Sequence, residues 1–149
     1  MKIGLFFGSF NPVHHAHLII ANYIINQNLV DKVWFVVSPH NPLKETKSLL
    51  NENHRLHLVN LAIEGELHLR ASDVEFHLPR PSYTSFTLNH LTEKYTDNQF
   101  VVIVGGDSFQ NIESFFYPKK HPSWERHLFF KKVPTESSLG EIMNKSLFK

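Results

Sequence analysis

A chain of 149 residues with 42% hydrophobic and 19% charged residues is long enough to bury the core of one domain and too apolar to stay disordered. A net charge of +1 supplies no basic field for nucleic acid, and the lack of cysteine excludes disulfides and thiolate metal sites. The first apolar run is too short to span a membrane and shows no signal-peptide pattern, so a cytoplasmic protein without a membrane partner is expected.

In chain order, Ile3 to Phe7 reads as a first strand, and "HLIIANYIINQNL" as a helix, with Leu18, Ile19, Ala21, Ile24 and Ile25 at helical spacing. Val33 to Val37 is a second strand, nearly continuous in hydrophobicity, as strands buried on both faces of a parallel sheet are. "HRLHLVNLAIEG" is a second helix, with Gly65 as its stop. A weaker strand runs from Leu67 to Val74, followed by a helix in "TSFTLNHLTEKY" and a strand from Phe100 to Val104. Alternation of this kind means βαβ units and a doubly wound parallel sheet, with ligands beyond the carboxyl ends of its strands. Leu128 to Phe130 is a candidate fifth strand in a tail rich in proline.

Polar clusters fall where such a sheet binds ligands. Behind the first strand stands "GSFNPVHHAHL", in which Gly8 permits a tight turn or close backbone approach, and Asn11 and Pro12 suit a helix start. His14 and His17 share a helical face, where free N–H groups suit a polyphosphate. By spacing alone the pair equally fits surface residues at a helix start; zinc needs a third ligand, and no local carboxylate offers one, so no protein-held metal is expected. Lys44 and Arg55, after the second strand, are either solvated surface cations or mobile cations facing a triphosphate. Ser82 or Thr84 can cap the helix that follows, as Asp107 can cap another, and Glu75 reads as a surface strand residue.

"GSFNPVHHAHL" resembles the G-[ST]-F-[DN]-P-x-H-x-G-H signature of the nucleotidylyltransferase superfamily, with His14 and His17 at its two histidines. Two positions depart from it: Phe7 replaces a glycine often found ahead of the motif, and Ala16 replaces the glycine between the histidines. "NPLKETKSLLNENHRLHLVNLAI", "SDVEFHLPRPSYTSFTLNHLTEKY" and "VVIVGGDSFQNI" are similar to segments of bacterial nicotinate-nucleotide adenylyltransferases. The resemblance implies a Rossmann-like α/β fold of nucleotidylyltransferase type. It implies transfer of AMP from ATP to nicotinate mononucleotide, giving nicotinate adenine dinucleotide and pyrophosphate in NAD biosynthesis. The catalytic residues it implies are His14, His17, Lys44 and Arg55. It assigns Gly8, Ser9, Phe10, His14, His17, Gly105 and Asp107 to ATP, and Ser82, Tyr83, Thr84 and Phe115 to the acceptor, with Phe115 where a stacking tryptophan usually stands. Magnesium would come with ATP, since no carboxylate cluster stands ready to hold it.

One nucleotidylyltransferase domain is expected over residues 1–149, family-like over about 2–115 and atypical over 116–149. In that tail Ser137 and Ser138 are followed by no arginine, and the family's late I-S-S-T-x-[IV]-R block is missing; the tail is truncated, diverged or altered. Two alternatives therefore stand beside the enzyme: a catalytically impaired nucleotide-binding relative, and an adenylyltransferase for another phosphorylated acceptor such as phosphopantetheine. The sequence leaves monomer and homo-oligomer both open.

Overall fold

A computed structural model describes residues 1–39, 48–80, 83–105 and 132–133. The order of elements is β1 (Lys2–Gly8), α1 (His15–Asn26), β2 (Lys32–Val37), α2 (Glu52–Ala62), β3 (Leu69–Ser72), a 3-10 turn (Val74–His77), α3 (Thr84–Lys94), β4 (Gln99–Gly105) and β5 (Lys132–Val133). The strands form one parallel sheet in the order β3-β2-β1-β4-β5, with Leu5 beside Trp34 on one side and Val102 on the other. The Rossmann-like expectation is met in this winding.

The continuous apolar runs follow from burial on both faces. Phe6, Val33, Phe35 and Val37 point to one face, where Ile20, Ala21 and Ile24 of α1 and Val59 of α2 cover them. The alternate residues Ile3, Leu5, Trp34 and Val36 point to the other, under Leu88 and Leu91 of α3. A strand with helices on both sides has no polar face to display. The chain passes from the β3 edge back across the sheet to β4, so the winding reverses between β1 and β4. A crevice at such a reversal is where open α/β sheets take their ligands.

The weak third strand differs from expectation at both ends. The weak strand spans Leu69–Ser72, not Leu67 to Val74: Leu67 is 85% exposed in the turn after Gly65, whose φ of 82° ends the α2 segment. Val74 and Glu75 belong to the 3-10 turn, and Glu75 is buried there, 1% exposed, with its Oε1 accepting a hydrogen bond from Thr87 Oγ1 of α3 at 2.8 Å. A surface place for Glu75 is thereby corrected. β5 lies at Lys132–Val133, and the candidate strand Leu128 to Phe130 lies outside the described residues.

Candidate functional site

The chain leaves β1 at Gly8 and turns sharply. Phe10 takes a φ of 48°, the left-handed region that costs a bulky residue energy, and the turn persists because its ring is buried, 2% exposed. That ring stands edge-on to Phe6, Phe35 and His17 at 5.7, 5.4 and 5.0 Å. Gly8 owes its identity to the same ring: a Cβ there would stand 3.1 Å from Phe10 Cζ and 3.3 Å from both Cε atoms. The close approach allowed by Gly8 is thus made by Phe10, and Phe10 itself has only backbone left to offer a ligand.

Asn11 and Pro12 do not begin the helix. The Asn11–Pro12 peptide is cis, and Asn11 ties two segments together: its Nδ2 donates to the Ser48 carbonyl at 2.8 Å and its Oδ1 accepts the Leu50 N–H at 3.1 Å. The helix begins at His15, with His14 as its N-cap. His14 and His17 close on each other. The His17 N–H donates to the His14 carbonyl at 3.1 Å, and the His14 N–H donates to His17 Nδ1 at 3.1 Å. Their rings stack, 3.8 Å between centroids and 22° between planes. Because Nδ1 of His17 accepts an N–H, the neutral ring carries its proton on Nε2; this tautomer is inferred from the bonding pattern. Phe6 and Phe10, edge-on at 5.8 and 5.0 Å, hold the ring in place. His15 is exposed on the helix beside them.

Arg55 differs from the mobile cation considered above. It is fully buried at the start of α2, and its guanidinium donates to four backbone carbonyls. Nε reaches Leu50 at 2.8 Å, Nη1 reaches Ser9 at 2.6 Å and Ser38 at 2.7 Å, and Nη2 reaches Pro39 at 3.1 Å. Burial pushes its pKa below the usual arginine range, and the carboxylate of Glu52 opposes that shift. A side chain held this way cannot swing out to a triphosphate without abandoning four acceptors. The mobile-cation reading of Arg55 is corrected on that ground.

On the other side of the reversal, Gly105 ends β4. Tyr83 is the N-cap of α3 with no side-chain cap bond, and Thr84 is its first helical residue, buried, so Thr84 does not cap. The Tyr83 ring meets Phe86 edge-on at 5.8 Å. Lys44, Ser82, Asp107 and Phe115 lie outside the described residues. What sequence reasoning missed here is the buried set under α3: Glu75, Thr87 and Ser85, each 3% exposed or less. The one signal was an acid flanked by Val74 and Phe76.

The cytidylyltransferase-like family matches residues 5–134, which runs from within β1 through β5. The chain belongs to that family. A Flavobacterium psychrophilum protein named "Probable nicotinate-nucleotide adenylyltransferase" is 50% identical over 115 residues, covering 77% of this chain and 60% of its own length. A protein of the same name from Cytophaga hutchinsonii is 45% identical over 143 residues, 96% of this chain and 73% of its own. The solved Plasmodium falciparum nicotinic acid mononucleotide adenylyltransferase complexed with NaAD shares the fold, with a TM-score of 0.66 at 24% identity over 76% of this chain and 56% of that one. The chain thus spans about 60% of the length of the first of these curated relatives. In this cytidylyltransferase-like chain, the stacked histidines and the end of β4 flank the reversal between β1 and β4.

Proposed function

We propose that the protein transfers the AMP moiety of ATP to nicotinate mononucleotide, forming nicotinate adenine dinucleotide and releasing pyrophosphate. The observation that carries this reading is the interlocked His14–His17 pair at the head of α1, in a chain whose relatives at 45–50% identity bear the name of that activity. The acceptor phosphate is already anionic at neutral pH, so no general base has to create the nucleophile. Its oxygen attacks the α-phosphorus of ATP, the bond from that phosphorus to the bridging oxygen breaks, and pyrophosphate departs with the electron pair.

Catalysis then consists of alignment and of stabilising charge on phosphate oxygens. His14 and His17 supply ring N–H donors to α- and β-phosphate oxygens, with the His17 donor on Nε2. Backbone of the Gly8–Phe10 turn and Gly105 accommodates the nucleotide, with Asp107 near its sugar. Lys44 supplies the mobile cation for the departing pyrophosphate. Ser82, Tyr83 and Thr84 receive the acceptor at the head of α3, and Phe115 stacks on its ring. Magnesium enters as part of the ATP substrate.

Incubation with ATP, magnesium and nicotinate mononucleotide, followed by a pyrophosphate assay, tests the reading. Stoichiometric pyrophosphate and dinucleotide are expected. ATP binding without pyrophosphate would overturn the enzyme and leave a nucleotide-binding relative. Turnover with phosphopantetheine in place of the nicotinate nucleotide would reassign the acceptor.

A further inference from the structure

We propose that Arg55 is a positioning residue that shapes the nucleotide site from beneath without touching substrate. The proposal rests on the reading above only in naming the anion as the triphosphate of ATP.

A buried cation must have its N–H groups satisfied, and a guanidinium has five. Arg55 is 0% exposed and engages four acceptors, all backbone carbonyls and none of them a carboxylate. These carbonyls come from three places. Ser9 follows β1, Ser38 and Pro39 follow β2, and Leu50 precedes α2. The first two places are the carboxyl ends of adjacent parallel strands, where outward carbonyl oxygens would repel a polyphosphate. Drawing those oxygens onto one buried cation turns their partial negative charge inward and leaves a positive charge below the crevice.

The same bonds set geometry. Among the described residues Asn11–Pro12 is the only cis peptide, so the Ser9–Phe10 peptide is trans and planar. With the Ser9 carbonyl held at 2.6 Å by Arg55, the Phe10 N–H points the opposite way, away from the guanidinium. The Phe10 ring lies 5.0 Å from His17, so the residue fixed at one end by Arg55 forms one wall of the histidine at the other. Asn11 reinforces the tie from the adjacent residue, through Ser48 and Leu50.

The test compares the wild type with Arg55→Lys and Arg55→Ala. Lysine keeps the charge but has one ammonium for four separated acceptors. Arg55→Lys, folded by circular dichroism, is expected to bind magnesium–ATP at least about tenfold more weakly, with the KM for nicotinate mononucleotide within about twofold of wild type. Millimolar guanidinium should restore ATP affinity to Arg55→Ala. Loss of kcat with ATP affinity unchanged would overturn the proposal in favour of a cation that touches the reacting phosphates. Loss of thermal stability alone, with ATP affinity and kcat unchanged, would overturn it in favour of a purely architectural role. The wild type gives an arm that needs no variant: its Arg55 Nε–H resonance should resist exchange and stay put on ATP addition, and a large shift would refute the proposal. If the wild type forms no dinucleotide, the enzymatic reading fails, while the ATP affinities and the Nε–H resonance still decide the role of Arg55.

Discussion

Replacing Gly8 by alanine adds one methyl group to the floor of the β1 turn, and its cost follows from the packing there. The new Cβ would lie 3.1 Å from Phe10 Cζ and 3.3 Å from its Cε atoms, inside the roughly 3.5–4.0 Å at which carbon atoms rest. Phe10 must retreat by a few tenths of an ångström, but Phe6, Phe35 and His17 stand around it at 5.0–5.7 Å. Overpacking of this kind costs about 1–3 kcal/mol. The reduced freedom of the unfolded chain returns about 0.4–1 kcal/mol, because Gly8 does not use a left-handed φ. A net loss of about 1–2 kcal/mol is expected, a fall in Tm of roughly 3–6 °C for a domain of this size. Urea and thermal unfolding of Gly8→Ala, Phe10→Leu and the double variant measure it. Leucine at position 10 vacates the space, so the alanine should cost almost nothing in that background, a coupling of about 1 kcal/mol or more. A Gly8→Ala variant as stable as wild type, or one equally costly with Leu at position 10, would refute the reasoning.

Thr87→Val removes the hydroxyl that donates to the buried Glu75 and should cost about 1–3 kcal/mol in urea unfolding, with Thr87→Ser, which keeps the donor, clearly milder. Arg80 and Glu52 meet at 2.8 Å with both groups partly in water, so a double-mutant cycle should return less than about 1 kcal/mol, shrinking further in high salt. His17→Ala should lower dinucleotide formation by about 100-fold or more, read as pyrophosphate release, while the variant still folds cooperatively. Leu67→Lys, at a side chain 85% exposed, should leave Tm within about 2 °C of wild type.

Hydrophobic patterning exposed the sheet because β1, β2 and β4 lie under helices, and burial on two faces writes itself as an unbroken apolar run. The pairing of His14 with His17 was legible for a similar reason: three residues at a helix start is a local geometry. Non-local packing was not legible. Leu67 is apolar yet projects into solvent because the turn at Gly65 decides its direction. Glu75 follows a strand but enters a 3-10 turn, so alternation misassigned its face, and its partner Thr87 lies one helix further on. Arg55 read as a solvated or mobile cation, not a buried one, because its four acceptors are carbonyls, and a carbonyl belongs to every residue and marks none. Asn11 read as part of a helix start; its bonds to Ser48 and Leu50 span a separation that spacing cannot encode.

The order β3-β2-β1-β4-β5 also sets a timetable for synthesis. β1 is made first and ends in the middle of the sheet, where Lys2 pairs with Gln99. At ribosomal rates its β4-side edge waits roughly 5–20 s for that partner, with Ile3, Leu5 and Phe6 already made and their strand half paired. An open apolar edge invites pairing with other chains. Nascent chains stalled before β4 emerges should therefore be the species that chaperones hold, and release should follow once Phe100 to Val102 can close against Ile3 to Leu5.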